Sequence, residues 1–138
     1  MKSPLILSVL LATGACQTAP YGGNGGALAG NWGGDHVGLT LDATHGTLDY
    51  DCASGEIAGP VIPDRAGRFV ASGVHIPGHG GPDRIDYVPP RKRATYAGQV
   101  TGDRMVLTVR VEDGVLIGPL TLVRGADPRV YRCLQPTK

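Results

Sequence analysis

The side chains able to do chemistry are few and scattered. Four histidines stand at His36, His45, His75 and His79. His75 and His79 are four apart, a spacing that on a helix would turn two imidazoles toward one metal ion. Pro77 and Gly78 lie between them and forbid that helix, so the spacing loses its meaning. A zinc site from His36, His75, His79 and a carboxylate would have to be assembled by the fold. The simpler reading of each is a solvated or hydrogen-bonded loop histidine, and no metal is expected. Asp49 and Asp51 share one face of an alternating segment. Paired carboxylates can move protons when held in a pocket, but alternating acids on a strand more often mark its wet face. Arg91, Lys92 and Arg93 form a basic cluster near Tyr87, inside the irregular stretch 77–93. A stretch of that length exceeds a hairpin turn. It suits either a grip on an anionic head group, peptide or glycan, or a solvated loop. The chain has no GxSxG, no Walker-type loop, no GxGxxG opening a helix and no HExxH. Catalysis and a bound cofactor are therefore not expected.

Cysteine supplies the remaining chemistry, at Cys16, Cys52 and Cys133. Neither Cys52 nor Cys133 sits in a CxxC, and a metal pair would need further ligands. With Cys16 set aside, an oxidising compartment would let Cys52 and Cys133 form a disulfide. Two free buried thiols are the alternative.

These groups need a scaffold, and the pattern of the chain describes one. The length, 138 residues, suits a single domain. Lys and Arg number 13 against 12 Asp and Glu, so there is no general electrostatic pull toward nucleic acid. Gly (22) and Pro (11) are abundant, yet the apolar residues between them alternate with polar ones at period two. Strands are predicted over 36–42, 47–52, 56–62, 68–76, 94–101, 104–112, 115–124 and 129–134. Asp113-Gly114 is the strongest hairpin signal. No stretch holds a 3.6-residue period over two turns. About eight strands with one apolar face each must close on themselves or pack against another sheet. The expectation is an all-β antiparallel up-and-down barrel over 30–138, with a two-sheet sandwich as the alternative. Val37, Leu39, Leu48, Phe69, Met105, Leu107, Leu120 and Leu122 would point inward.

The first residues, MKSPLILSVLLATGAC, read as a secretory signal: one Lys, a short apolar run, then small residues. Thr13-Gly14-Ala15-Cys16 resembles the lipobox of bacterial lipoproteins, although Thr13 departs from the usual Leu. That resemblance implies cleavage after residue 15, a diacylglycerol on Cys16 and anchoring to a membrane. Gln17 after the Cys implies the outer membrane, facing the periplasm. An ordinary secretory signal cut near Ala15, releasing a soluble periplasmic or secreted protein, is the alternative. Residues 17–29 have little to bury and read as a Gly-rich tether.

Gly30-Asn31-Trp32 at the entrance to the first strand resembles the GxW of the calycins, the group of lipocalins, fatty-acid-binding proteins and avidins. The resemblance implies that Trp32 closes one end of the barrel and that a basic residue near the last strand packs across its face. Arg124 is the first candidate and Arg132 the second. It also implies a binding module for a small or hydrophobic ligand; few aromatics and short strands argue against a large pocket, and the site is expected at a shallow mouth lined by Trp32, His36, His79 and Arg91. In size, export, single disulfide and GxW start the chain is also similar to small periplasmic inhibitors of bacterial metalloproteases. A protein-interaction role, or a structural role among envelope proteins, is therefore the competing expectation.

Overall fold

The computed structural model describes residues 26–133. The alternating segments become eight strands: β1 (Gly30–Gly34), β2 (Val37–Leu41), β3 (His45–Tyr50), β4 (Ala53–Ala58), β5 (Arg68–Pro77), β6 (Lys92–Thr101), β7 (Arg104–Val111) and β8 (Leu116–Arg124). Each pairs antiparallel with the next, and β8 returns to β1 through Trp32↔Arg124 and Gly33↔Val123. The result is a closed up-and-down barrel, not a sandwich. Closure rests on these two register pairs, at the Val123–Arg124 end of β8.

The strand count matches the expectation, but its two ends differ. The stretch GNWGG is itself β1, one strand earlier than alternation suggested. Its glycines carry no side chains, so they conceal the period. Residues 129–133 do not form a strand; their one β-bridge is Asp35↔Arg129. The end of β8 at Val123–Arg124 is already paired with β1, and the tail runs outside the barrel. The segment predicted as 56–62 starts earlier, at Ala53, and stops at Ala58. Gly59 there turns with φ 81° and Pro60 has no N–H to offer a ladder. Asp42 sets the β2–β3 turn, because its Oδ1 accepts from the backbone N–H groups of Thr44 and His45.

Alternation puts Val37, Leu39, Leu48, Phe69, Met105, Leu107 and Leu122 in the core. Leu120 is partly buried beside a bulge, where the β7–β8 register shifts between Leu107 and Val109. Burying one such side chain contributes about 1.5–3 kcal/mol. Leu28 also belongs to this packing. It lies in the stretch read as a tether, yet it is buried and its N–H donates to Val61 O at 2.8 Å.

The two ends of the barrel differ. The chain enters at one, together with the β2–β3, β4–β5 and β6–β7 connections. The β1–β2, β3–β4, β5–β6 and β7–β8 connections gather at the other, the mouth. The tail after β8 climbs the outer wall from the first end to the second. Glycines in β1 and β2 give it room: a β-carbon on Gly33 would lie 2.1 Å from Ala126 O, and one on Gly38 2.8 Å from Pro128 Cβ. Backbone bonds from His36 N to Arg129 O and from Arg129 N to Gly34 O then hold the tail, and a disulfide joins Cys133 to Cys52.

Candidate functional site

At the entry end, Trp32 is 1% exposed and the Arg124 guanidinium carbon lies 4.2 Å from its ring centroid. Arg124 Nη1 also donates to Ala29 O at 3.0 Å, so this side chain ties the incoming chain to the last strand. Trp32, expected at a ligand-binding mouth, is instead packed away from solvent under Arg124. Arg132, the other candidate for that contact, lies in the outer tail.

The mouth holds a recess of about 290 Å³. Its deepest groups are Tyr50 on β3 and His75 on β5, both buried. Strand parity puts them inside: Tyr50 follows Leu48 at period two, and His75 follows Phe69 and Ala71 on the same face. Tyr50 Oη lies 2.8 Å from His75 Nδ1, and the two rings stack at an interplanar angle of 11°. Tyr96 on β6 lies close by and donates its O–H to Val74 O at 2.6 Å. Gly55 makes room for both phenols, since a β-carbon there would sit 2.2 Å from Tyr96 Oη and 2.9 Å from Tyr50 Oη. Ile117, Leu120 and Pro77 complete an apolar wall.

Burial governs how these groups titrate. Loss of solvent pushes the Tyr50 phenol far above its ordinary range, and the nearby Tyr96 adds to the effect. Burial likewise raises Tyr96. Burial lowers His75, and the Lys92 ammonium lowers it further, so its neutral form is favoured. A protonated phenol beside a neutral imidazole is a donor–acceptor pair, not an ion pair.

The rim carries two residues in left-handed backbone, His36 at φ 70° and Cys52 at φ 58°, the two non-glycine cases among the described residues. Each ends a two-residue turn, Asp35-His36 and Asp51-Cys52. Such positions cost on the order of 1–3 kcal/mol each and persist only when the surroundings over-determine them. Here the surroundings do: His36 Nδ1 pairs with Asp51 Oδ2, and Asp51 Oδ1 accepts from Tyr131 N at 2.8 Å. Cys52 N donates to Tyr131 O, and Cys52 is bonded to Cys133. The Tyr131 amide, more than His36, holds the Asp51 carboxyl below its usual range.

Of the residues expected at the mouth, His36 alone lines this recess. His79 lies in the β5–β6 loop, with Nε2 2.7 Å from Asp83 and its ring edge-on to Tyr87. Arg91 is held in a two-pronged pair by Glu56. Lys92 pairs with Asp113 at 2.6 Å, and Arg93 approaches Glu112 at 3.6 Å. The basic cluster is therefore matched by acids from β4 and the β7–β8 turn, which leaves little free charge for an anion. Among the described residues, no three His, Cys, Asp or Glu side chains converge in a way that could hold a metal. Asp49 and Asp51, paired in the sequence, diverge: Asp49 stays on the outer face of β3 while Asp51 turns to the rim.

Compared with known protein families, with curated proteins and with solved structures, the chain matches none.

Proposed function

We propose that this chain is an exported, envelope-anchored binding protein whose barrel mouth takes a small ligand. The observation that carries this reading is the recess itself: the buried Tyr50–His75 pair set among Pro77, Ile117 and Leu120. Ligand sites combine a mainly apolar lining with a few placed polar groups. The left-handed residues on the rim support the same reading, because backbone strain of this kind collects at ligand clamps. At about 290 Å³ the recess falls at the lower edge of the roughly 300–1,000 Å³ common for drug-sized ligands. The barrel below it is filled by Met105, Leu107 and Leu122, so the ligand sits at the mouth and is small. The role is one of binding, not catalysis.

Native mass spectrometry of the protein isolated from its own envelope tests this. The expected result is a small-molecule adduct that disappears in Leu120→Trp, a substitution that fills the recess. No adduct, together with no thermal shift across a panel of lipids and small amphiphiles, overturns the reading. The anchor is part of the same proposal and rests on the TGAC sequence at 13–16, outside the described residues. The Cys52–Cys133 bond supports an oxidising compartment. Metabolic labelling with palmitate should mark the wild-type chain and not Cys16→Ser. Label retained in that variant would remove the anchor.

One observation favours a second reading, a docking role toward another envelope protein. Ten large apolar side chains are exposed among the described residues, and six of them lie at the mouth: Ile85, Tyr87, Val88, Val115, Leu116 and Tyr131. Exposed apolar groups gathered at one end mark interaction surfaces more often than scattered ones do. Ile85→Asp with Val88→Asp should abolish envelope cross-links if this reading holds and leave the small-molecule adduct intact if it does not.

A further inference from the structure

The Tyr50–His75 pair fixes more than the position of the recess. Tyr50 Oη has two polar neighbours: His75 Nδ1 at 2.8 Å, and the Tyr96 phenol, whose own O–H goes to Val74 O. Burial keeps the phenol protonated, and a buried O–H must be given an acceptor. The phenol proton is assigned to the 2.8 Å bond, with Nδ1 as its acceptor. In a neutral imidazole the remaining proton then sits on Nε2. His75 is 8% exposed and lines the recess, and no described protein group pairs with Nε2. One N–H donor, held in its tautomer by a tyrosine, is thus left for whatever enters.

We infer that the mouth recess selects small, neutral, mainly apolar molecules bearing one hydrogen-bond acceptor, such as a ketone, ester or amide carbonyl, which takes its hydrogen bond from His75 Nε2–H. This rests on the small-ligand reading of the mouth and narrows it. The apolar body of such a molecule packs on Ile117, Leu120 and Pro77, where water would find no partners. The space, about 290 Å³, suits a molecule of a single ring. The charge of the lining argues for neutrality. The one carboxylate in it is Asp51, and no Lys or Arg lines it. The nearest basic side chain in sequence register, Lys92 opposite His75, is committed to Asp113. An anion would be stripped of water beside a carboxylate whose one basic neighbour in the lining, His36, is already paired with it.

Three probes of similar size separate the possibilities: acetophenone (neutral, one acceptor), ethylbenzene (the same shape, no acceptor) and benzoate (anionic acceptor). Each is titrated into the full chain, isotope-labelled, while the side-chain ring signals of His75 and the methyl signals of Ile117 and Leu120 are followed. Acetophenone is expected to move both sets and to bind roughly three- to tenfold more tightly than ethylbenzene, the span of one net hydrogen bond. Benzoate should bind more weakly than either. His75→Phe keeps an aromatic ring against Tyr50 and should erase the preference for acetophenone while sparing ethylbenzene. If that variant fails to fold, Tyr50→Phe, which frees the tautomer without changing the shape of the ring, should reduce the same preference. Equal binding of acetophenone and ethylbenzene, or tighter binding of benzoate, overturns the assigned ligand class and leaves a binding mouth standing. No shift of the Ile117 and Leu120 methyls with any probe overturns the small-ligand reading itself.

Discussion

Two side chains set most of what the residue scale predicts. Trp32 is fully enclosed, and its indole N–H has no hydrogen-bond partner, so its whole contribution is packing plus the Arg124 contact. Trp32→Ala should lower stability by about 3–5 kcal/mol in urea unfolding. Arg124→Ala should cost less, about 1–3 kcal/mol, from the lost cation–π contact and the lost bond to Ala29 O. His75 governs acid sensitivity near neutrality. Its folded pKa is lowered, so below the unfolded value of about 6.5 the unfolded chain takes up a proton that the native state resists. Stability is therefore complete above that pH and falls as the pH drops toward the folded value. His75→Phe should flatten this limb in denaturant melts taken between pH 7 and 5. A second limb, at lower pH, belongs to the carboxylates. Asp113 is held down by Lys92 and Asp51 by the Tyr131 amide, so their contribution is present above about pH 4 and lost as the pH falls through their folded values.

At the scale of elements, the first hairpin and the tail act as one unit. Gly33→Ala would drive a β-carbon into the Ala126 carbonyl, and the tail would have to lift. The expected cost is about 1–3 kcal/mol, as for other overpacked sites. Hydrogen exchange should quicken at the amides of His36 and Arg129, which bond across this seam, while β5–β7 amides keep their protection. Uniform acceleration would mean that the tail is not a separate unit. The same glycines explain what sequence reasoning could and could not reach. Strands β5 to β8 were legible because large apolar side chains recur at every second position, as in Met105, Leu107 and Val109. Strand β1 was not, because GNWGG has one large side chain and no period to count. The inward group Tyr50, His75 and Tyr96 was within reach, since parity from Leu48, Phe69 and Val100 turns all three inside. What hid it was the reading of His75 as a loop histidine beside Pro77 and Gly78, although it falls within the strand predicted over 68–76, which here runs to Pro77. His36, read as the first residue of a strand, is the last residue of a turn, because Gly34 pairs directly with Val37. The partners of Arg91 and Lys92 lie 35 and 21 residues away, and no local spacing reveals them.

For the molecule as a whole, closure and the disulfide are separate sources of order. The β1–β8 ladder closes the sheet without help from Cys52 or Cys133. Replacing both with Ala should leave the far-ultraviolet dichroism of the barrel unchanged while lowering its stability by up to about 4.5 kcal/mol, the chain-entropy value for a separation of 81 residues. Loss of the barrel signal would mean that the bond, not the ladder, holds the sheet together. The same bond has a mechanical consequence. It turns residues 52–133 into a covalent loop, with residues 26–51 outside it. When the chain is stretched by its two ends, the described segment outside the loop can pay out only about 90 Å, at roughly 3.6 Å per residue, before the sulfur link takes the load. The hidden slack, about 290 Å, is released only after reduction. A force–extension trace should therefore show one short ruptured length in oxidising buffer and a much longer one with thiol present. Pulled by its two ends, the protein would stretch a little and then hold like a knotted rope.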